Sequence, residues 1–225
     1  MDRSQKLHMH LPADDLDDEE SLSEDVGAPE KGVSIILLAA GSSSRMGQSK
    51  QLLDIQGTPL LLHSTKVALE SGAKHVIVVV GANEQPHREV IKGLPVSIIL
   101  NHFWKGGMGS SIKTGMNALM KKYPETNAVI LMVCDQPAVT SDHLRSLIRN
   151  YSATKNPIVA SAYAGTIGVP ALFGRPFYSN ILMLRDDQGA KKIMQQFPSK
   201  VKSIDFPDAV HDLDTREDYQ NFIDQ

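Results

Sequence analysis

The sequence predicts an α/β protein, a single three-layer α/β/α domain built around a mainly parallel sheet. Three observations predict it. Apolar runs such as Val76-Ile77-Val78-Val79-Val80 and Ala128-Val129-Ile130-Leu131-Met132-Val133 lack the in–out alternation of a strand with one wet face. Amphipathic stretches of helical period separate these runs. No internal repeat and no linker divides the chain after residue 31.

The elements follow in order. Val33–Ala40 reads as the first strand. Pro59 opens a helix through about Glu70, because its fixed φ suits the first helical position. Ser71-Gly72 ends that helix. His75–Val80 is a second strand, stopped by Gly81 and followed by a short helix near Glu84–Ile91. Pro95–Leu100 is a third strand, Ser110–Lys122 a helix, and Ala128–Cys134 a fourth strand. Ser141–Asn150 is a helix with Ser141 as its expected N-cap, and Ile158–Ala162 a fifth strand. The alternation then becomes less regular. Gly165–Phe173 reads as a hairpin or an extra strand, Phe177–Leu184 and Gly189–Phe197 as helical, Val201–Ile204 as a last strand and Glu217–Ile223 as a terminal helix.

Composition narrows the function. The chain has 225 residues, 41% hydrophobic, with a net charge of −3, so it offers no overall field for nucleic acid or an anionic membrane. No stretch is apolar for long enough to span a bilayer. The single cysteine, Cys134, excludes an internal disulfide, and a soluble cytoplasmic protein is the expectation. Residues 1–31 differ from the rest: Asp14-Asp15-Leu16-Asp17-Asp18-Glu19-Glu20 repels itself and buries almost nothing. An acidic, disordered or loosely attached arm is expected there, and a domain over 32–225.

The most informative segment is residues 38–50, LAAGSSSRMGQSK. A strand that opens into a loop of small residues exposes several backbone N–H groups at one spot, and Arg45 and Lys50 add positive charge there. Such a site suits a polyphosphate. The Walker pattern needs four residues between its glycines and Lys-Ser/Thr at once. Here five residues separate Gly41 from Gly47, and Lys50 comes three later. A dinucleotide fingerprint needs three glycines opening directly into a helix, whereas the expected helix waits until Pro59. Read without further context, the segment is also compatible with a serine-rich turn carrying two solvated cations.

The fourth strand ends in Asp135-Gln136-Pro137, a carboxylate at the carboxyl end of a central strand, where open α/β sheets place ligands. It suits a Mg²⁺ shared with phosphate oxygens, or alternatively an N-cap or Asx turn. In His211-Asp212-Leu213-Asp214-Thr215, an extended backbone would put Asp212 and Asp214 on one face. Asp214 or Thr215 could equally cap the last helix. Cys134 reads as a small buried hydrophobe rather than a nucleophile. The eight histidines show no metal-ligand spacing.

Small-Gly-Ser-Ser-Ser-Arg-Met-Gly followed by Lys resembles the signature of nucleotidyltransferases with the nucleotide-diphosphosugar transferase fold, a Rossmann-like architecture. Within them it most resembles the molybdenum cofactor cytidylyltransferases and guanylyltransferases. The resemblance covers Val33 to the C-terminus. It implies that Leu38, Ala39, Ala40 and the Gly41-Ser42-Ser43-Ser44 backbone bind the nucleotide, and that Arg45 and Lys50 neutralise its phosphates. Leu-Ala-Ala-Gly is the cytidylyl form and Leu-Ala-Gly-Gly the guanylyl form; this chain has Ala40. One methyl group discriminates by only about 1–3 kcal/mol. Asp135 with Asp212 and Asp214 would hold Mg²⁺, the family reading Asp-x-Asp-Thr-Pro where this chain has Arg216 instead of proline.

Three further segments extend the resemblance. Gly109, Ser110 and Ser111 lie in a Gly-Met-x-x-Ser-like turn that lines the nucleotide pocket in the family. Both serines could equally be helix caps, and Trp104 a packing residue. Gly168 and Pro170 match a Gly-x-Pro-x-x-Phe element of the acceptor pocket. Gly189, Ala190 and Lys191 match a Gly-Asp-x-Gly-Ala-Arg segment, with Asp186 in place of glycine and Lys191 in place of arginine. Lysine cannot make the planar fork of arginine, which puts acceptor identity in question. The implied reaction is Mg²⁺-dependent transfer of CMP from CTP to the phosphate of molybdopterin or molybdenum cofactor, with release of pyrophosphate. The alternatives are the same chemistry with GTP, another phosphate acceptor, or a nucleotide-binding cofactor chaperone without turnover. The partners implied are small-molecule substrates and a transient molybdenum hydroxylase client, with neither nucleic acid nor membrane.

Overall fold

The computed structural model describes residues 32–43, 46–154, 156–210 and 212–224. The expected acidic arm, Ser44 and Arg45 lie outside the described residues. β1 (Val33–Ala39) is buried along its whole length, as its mostly apolar pattern requires, with the one polar residue, Ser34, hydrogen-bonded to Thr126. It is an interior strand of a seven-stranded sheet. β4 (His75–Val80) and β6 (Ala128–Val133) flank it in parallel, and β5 (Ser97–Leu100) continues the parallel half outside β4. β2 (Asp54–Ile55) and β3 (Thr58–Pro59) form a small separate ribbon.

The other half of the sheet departs from simple alternation. Gly165–Phe173, expected as a hairpin or extra strand, is β8 with bounds Thr166–Gly174. It inserts between β6 and β7 (Ile158–Tyr163), antiparallel to both. β9 (Val201–Asp205) pairs in parallel with β7 at the edge. The order is therefore β5-β4-β1-β6-β8-β7-β9.

Alternating side chains of β1 feed two cores, as strand periodicity dictates. Ile35 and Leu37 join Leu60, Leu61, Leu144 and Leu147 of α1 (Leu60–Glu70) and α4 (Ser141–Ala153) on one face. Ile36 and Leu38 join Ile112, Met116 and Leu119 of α3 (Met108–Lys122) on the other. α5 (Tyr178–Leu182) and α6 (Lys191–Gln196) complete that second layer. α2 (Glu84–Val90) follows β4, and α7 (Arg216–Ile223) packs Tyr219 and Phe222 against the first core.

Helix starts and caps differ from the sequence reading at several places. Pro59 pairs with Asp54 in the β2–β3 ribbon, so α1 begins at Leu60. The N-cap of α4 is Thr140, whose hydroxyl accepts from the His143 N–H, and not Ser141. α3 starts two residues early, at Met108, because Gly107 takes the cap position with φ 120°. Gly189 precedes α6 rather than opening it. No helix among the described residues is long and apolar enough to cross a membrane.

Candidate active site

A cavity of about 560 Å³ opens at the carboxyl ends of β1 and β6. Leu38, Ala40, Gly41 and Ser42 bring the end of β1 and its loop to it. Lys50 and Gln51 bring the far limb of the same loop, Asp135 and Gln136 the turn after β6, and Asp212 and Asp214 the segment before α7. Trp104, Lys105, Gly107, Met108 and Ser111 close one side, and Tyr163 and Val169 another.

Lys50 turns into this cavity. Its Nζ lies 2.5 Å from Asp135 Oδ2 and 3.1 Å from Asp214 Oδ1. One ammonium thus bridges carboxylates from two distant parts of the chain. Burial works to lower the Lys50 pKa, yet the charges and hydrogen bonds of Asp135 and Asp214 outweigh it and hold the pKa above its ordinary value. Asp212 is pushed the other way for a carboxylate. Burial raises its pKa, and the nearby Asp135 charge adds to the effect. Tyr163 is likewise raised, first by burial and then by Asp212.

The local fold explains why these acids meet. Ser64 of α1 donates to the Cys134 carbonyl and the His63 ring reaches the Pro137 carbonyl, so α1 grips the turn that carries Asp135. The Leu213 N–H donates to the Asp135 carbonyl at 2.9 Å, tying the C-terminal segment to the same turn. Thr215 and Asp218 form a capping box at the start of α7, which settles Thr215 as the cap. Arg216, in the proline position, donates from Nε to the Met46 carbonyl at 3.3 Å and fastens α7 to the loop after β1. Cys134 is buried, and its thiol is pushed up to about 12 by burial and by Asp135, which leaves it no thiolate at neutral pH.

Asp135, Asp212 and Asp214, the expected metal ligands, all line this cavity. Among the described residues, no group of three or more His, Cys, Asp or Glu is arranged to hold a metal ion. What the geometry provides is a pair, Asp135 and Asp214, aimed at one cationic position. That donor set still fits Mg²⁺, which takes one or two carboxylates and completes its shell with phosphate oxygens and water. Asp212 lines the cavity beside this pair, where its pKa also responds to a hydrogen bond from Gln136.

The remaining expected residues divide. Gly41, Ser42 and Ser111 line the cavity together with Leu38 and Ala40. Ala39 ends β1 and its carbonyl is bound by Gln51. Ser43 accepts from the Lys50 N–H. Ser110 is turned inward, its hydroxyl engaged by the Phe103 and Gly107 carbonyls and by Asn101. Gly109 packs against backbone: a Cβ there would lie 2.0 Å from the Arg185 carbonyl oxygen.

On the acceptor side, Val169 reaches the cavity between the buried Gly168 and Pro170. Gly189, Ala190 and Lys191 are not among its lining residues. Their segment packs behind the glycine-rich turn instead, with Gly107 against the Asp186 backbone and Gly189 near Met108. Asp186, the unexpected acid, pairs with Lys113 at 2.6 Å. The sequence reading missed Gln51, Tyr163 and Lys105, and Trp104 is a cavity wall rather than packing alone. A Cβ on Gly81 would meet the Trp104 Cβ and the Ala40 carbonyl at 2.7 Å, so that glycine lets the tryptophan reach Ala40.

Comparison with known proteins adds the ancestry of this arrangement. Residues 35–201 match the family described as "MobA-like NTP transferase domain". The chain is 29% identical over 194 residues to nicotine blue oxidoreductase of Paenarthrobacter nicotinovorans, covering 81% of this chain and 92% of that protein. It is 27% identical to purine catabolism protein PucB of Bacillus subtilis, covering 82% and 92%. To the molybdenum cofactor cytidylyltransferase of Escherichia coli it is 24% identical, covering 83% and 93%. Among solved structures, Rv0371c of Mycobacterium tuberculosis superposes with a TM-score of 0.76 at 26% identity, covering 87% of this chain and 99% of that one. A structure of the same mycobacterial protein in complex with manganese gives 0.69 at 25%, covering 87% and 100%.

Proposed function

Because this chain belongs to the MobA-like NTP transferase family and is thereby a nucleotidyltransferase, we propose that it transfers CMP from CTP to the phosphate of molybdopterin or molybdenum cofactor, releasing pyrophosphate. The observation that carries this reading is the Lys50 bridge between Asp135 and Asp214 at the mouth of the loop after β1. A cation and two acids meet beside a turn of small residues, as a triphosphate and its counter-ion require. Ala40, rather than glycine, supports cytosine over guanine. The manganese complex of the mycobacterial structure supports a divalent ion.

Asp135 and Asp214 would hold Mg²⁺, which when bound supplies positive charge to polarise the α-phosphate. Lys50, released from the two carboxylates, pairs with the phosphates of the nucleotide. Arg45 belongs to the same loop in sequence and would add a second cation to them. An acceptor phosphate oxygen attacks the α-phosphorus, the bond to the β-phosphate oxygen breaks, and pyrophosphate leaves with the electron pair. No protein nucleophile takes part, which agrees with a Cys134 thiol that stays protonated. The chain supplies alignment and charge compensation.

Pyrophosphate release measured with each of the four nucleoside triphosphates, with and without molybdopterin, tests the proposal. CTP with molybdopterin is expected to give the fastest release. Faster release with GTP would assign guanylyl transfer, and CTP binding without release in the presence of Mg²⁺ would assign a non-catalytic carrier.

A further inference from the structure

Gln51 follows Lys50 and is only 1% exposed. Its amide Nε2 donates to the Gly41 carbonyl at 3.0 Å and to the Ala39 carbonyl at 3.3 Å. Its Oε1 accepts from the Ser49 hydroxyl at 2.8 Å and from the Ser43 hydroxyl at 3.2 Å. One side chain therefore fastens both limbs of the loop, the exit of β1 and the turn that carries Lys50. Ser43 closes the circuit by accepting from the Lys50 N–H at 2.9 Å.

A second layer supports the first. The Ser49 hydroxyl also lies 2.7 Å from His87 Nε2. Since Ser49 gives its hydrogen to Gln51, it must accept from the imidazole, which puts a hydrogen on His87 Nε2. His87 is fully buried on α2, and its pKa is lowered by burial, which favours the neutral ring. The chain of contacts runs from α2 through Ser49 to Gln51 and ends on two loop carbonyls.

A backbone anion site works only if its carbonyl oxygens are held away from the anion. We propose that Gln51, braced by Ser49 and His87, is the positioning residue that shapes this loop to receive the polyphosphate of the nucleotide. It binds the Ala39 and Gly41 carbonyls, which would otherwise be free to repel phosphate, and sets the origin of the Lys50 side chain. The inference rests on the nucleotidyl-transfer reading of the cavity.

Calorimetric titration of the full chain with CTP, inorganic pyrophosphate and CMP tests it. Gln51→Met keeps length and removes every hydrogen bond. It is expected to weaken CTP and pyrophosphate by about tenfold or more, the scale of one or two lost hydrogen bonds, while CMP affinity holds within about twofold. Ser49→Ala removes one bond to Gln51 and is expected to give the same ligand pattern at about threefold; it carries the test should Gln51→Met fail to fold. Unchanged affinity for CTP and pyrophosphate in the variants overturns the role of Gln51. So does an equal loss for all three ligands. A wild-type chain that binds neither CTP nor pyrophosphate overturns the nucleotidyl-transfer reading itself, and this inference with it.

Discussion

Lys50 and Asp135, 85 positions apart in sequence, meet with Nζ 2.5 Å from Oδ2 where the loop after β1 faces the turn after β6. Each is the other's counter-charge, and Asp214 is the second anchor of the same ammonium.

Removing either partner should cripple turnover without unfolding the chain, because both side chains keep some solvent contact. Lys50→Ala and Asp135→Ala are each expected to lower CTP-dependent pyrophosphate release by roughly 10²-fold or more, as loss of one preorganised charge does. Near-normal release in both variants would refute the assignment.

The same bridge predicts a competition. In the absence of nucleotide, a divalent ion must displace the Lys50 ammonium from Asp135 and Asp214. Lys50→Ala is therefore expected to bind Mn²⁺ about tenfold more tightly than wild type when no nucleotide is present, an energy near that of one charge-assisted hydrogen bond. Paramagnetic titration with Mn²⁺ measures it, and equal or weaker binding in the variant speaks against the competition.

Two glycine substitutions should separate stability from acceptor binding. In Gly109→Ala the new methyl meets the Arg185 backbone carbonyl, so about 1–3 kcal/mol of stability is expected to be lost. In Gly168→Ala it meets the end of a side chain, the Tyr163 hydroxyl. Stability should there change little, while the displaced Tyr163, a cavity wall, should alter the KM for the acceptor. Denaturant melts and steady-state kinetics distinguish the two, and equal destabilisation by both contradicts the argument.

Acid should weaken the fold through His143. Its ring is buried, stacks on Phe206, and reaches the Ser161 hydroxyl at 2.7 Å; burial pushes its pKa down to about 4 from 6.5. Below pH 6.5 the unfolded chain takes up a proton that the folded chain refuses. This contribution is therefore intact above pH 6.5 and is lost as pH falls toward 4. At pH 5 the loss is about 2 kcal/mol. Urea midpoints of wild type and His143→Gln at pH 7 and pH 5 should show a shallower fall in the variant; parallel falls would exclude His143 as the source.

The parallel half of the fold was legible because β1, β4 and β6 are buried on both faces and carry long apolar runs, interrupted only by Ser34. The three charged residues of the site were legible as well: Asp135 sits just past the end of β6, Lys50 closes the loop that follows β1, and Asp214 lies just before α7. β8 was legible as a hairpin or extra strand over Gly165–Phe173, but its place beside β6 was not, since that antiparallel pairing joins residues separated by 40 or so positions of chain. Gln51 left no signal at all, because a buried amide looks like any surface glutamine until its four partners are in place. The segment 186–191 matched a motif in sequence, yet it packs behind Gly107 and Gly109, a contact that no local spacing encodes. Asp212 and Asp214 were expected on one face of an extended backbone, but the Asp214 N–H turns back to the Asp212 carbonyl at 3.1 Å, and it is Asp214 that reaches the ammonium.

The backbone bond from Leu213 to the Asp135 carbonyl has a consequence for biogenesis. A nascent chain emerging from the ribosome presents the loop after β1 and the turn after β6 long before residue 214 has been added. Until then Lys50 has one acidic anchor, and the seam between Arg216 and Met46 is open. The doubly anchored ammonium is thus assembled only once this segment has been made, after every strand of the central sheet has already been synthesised.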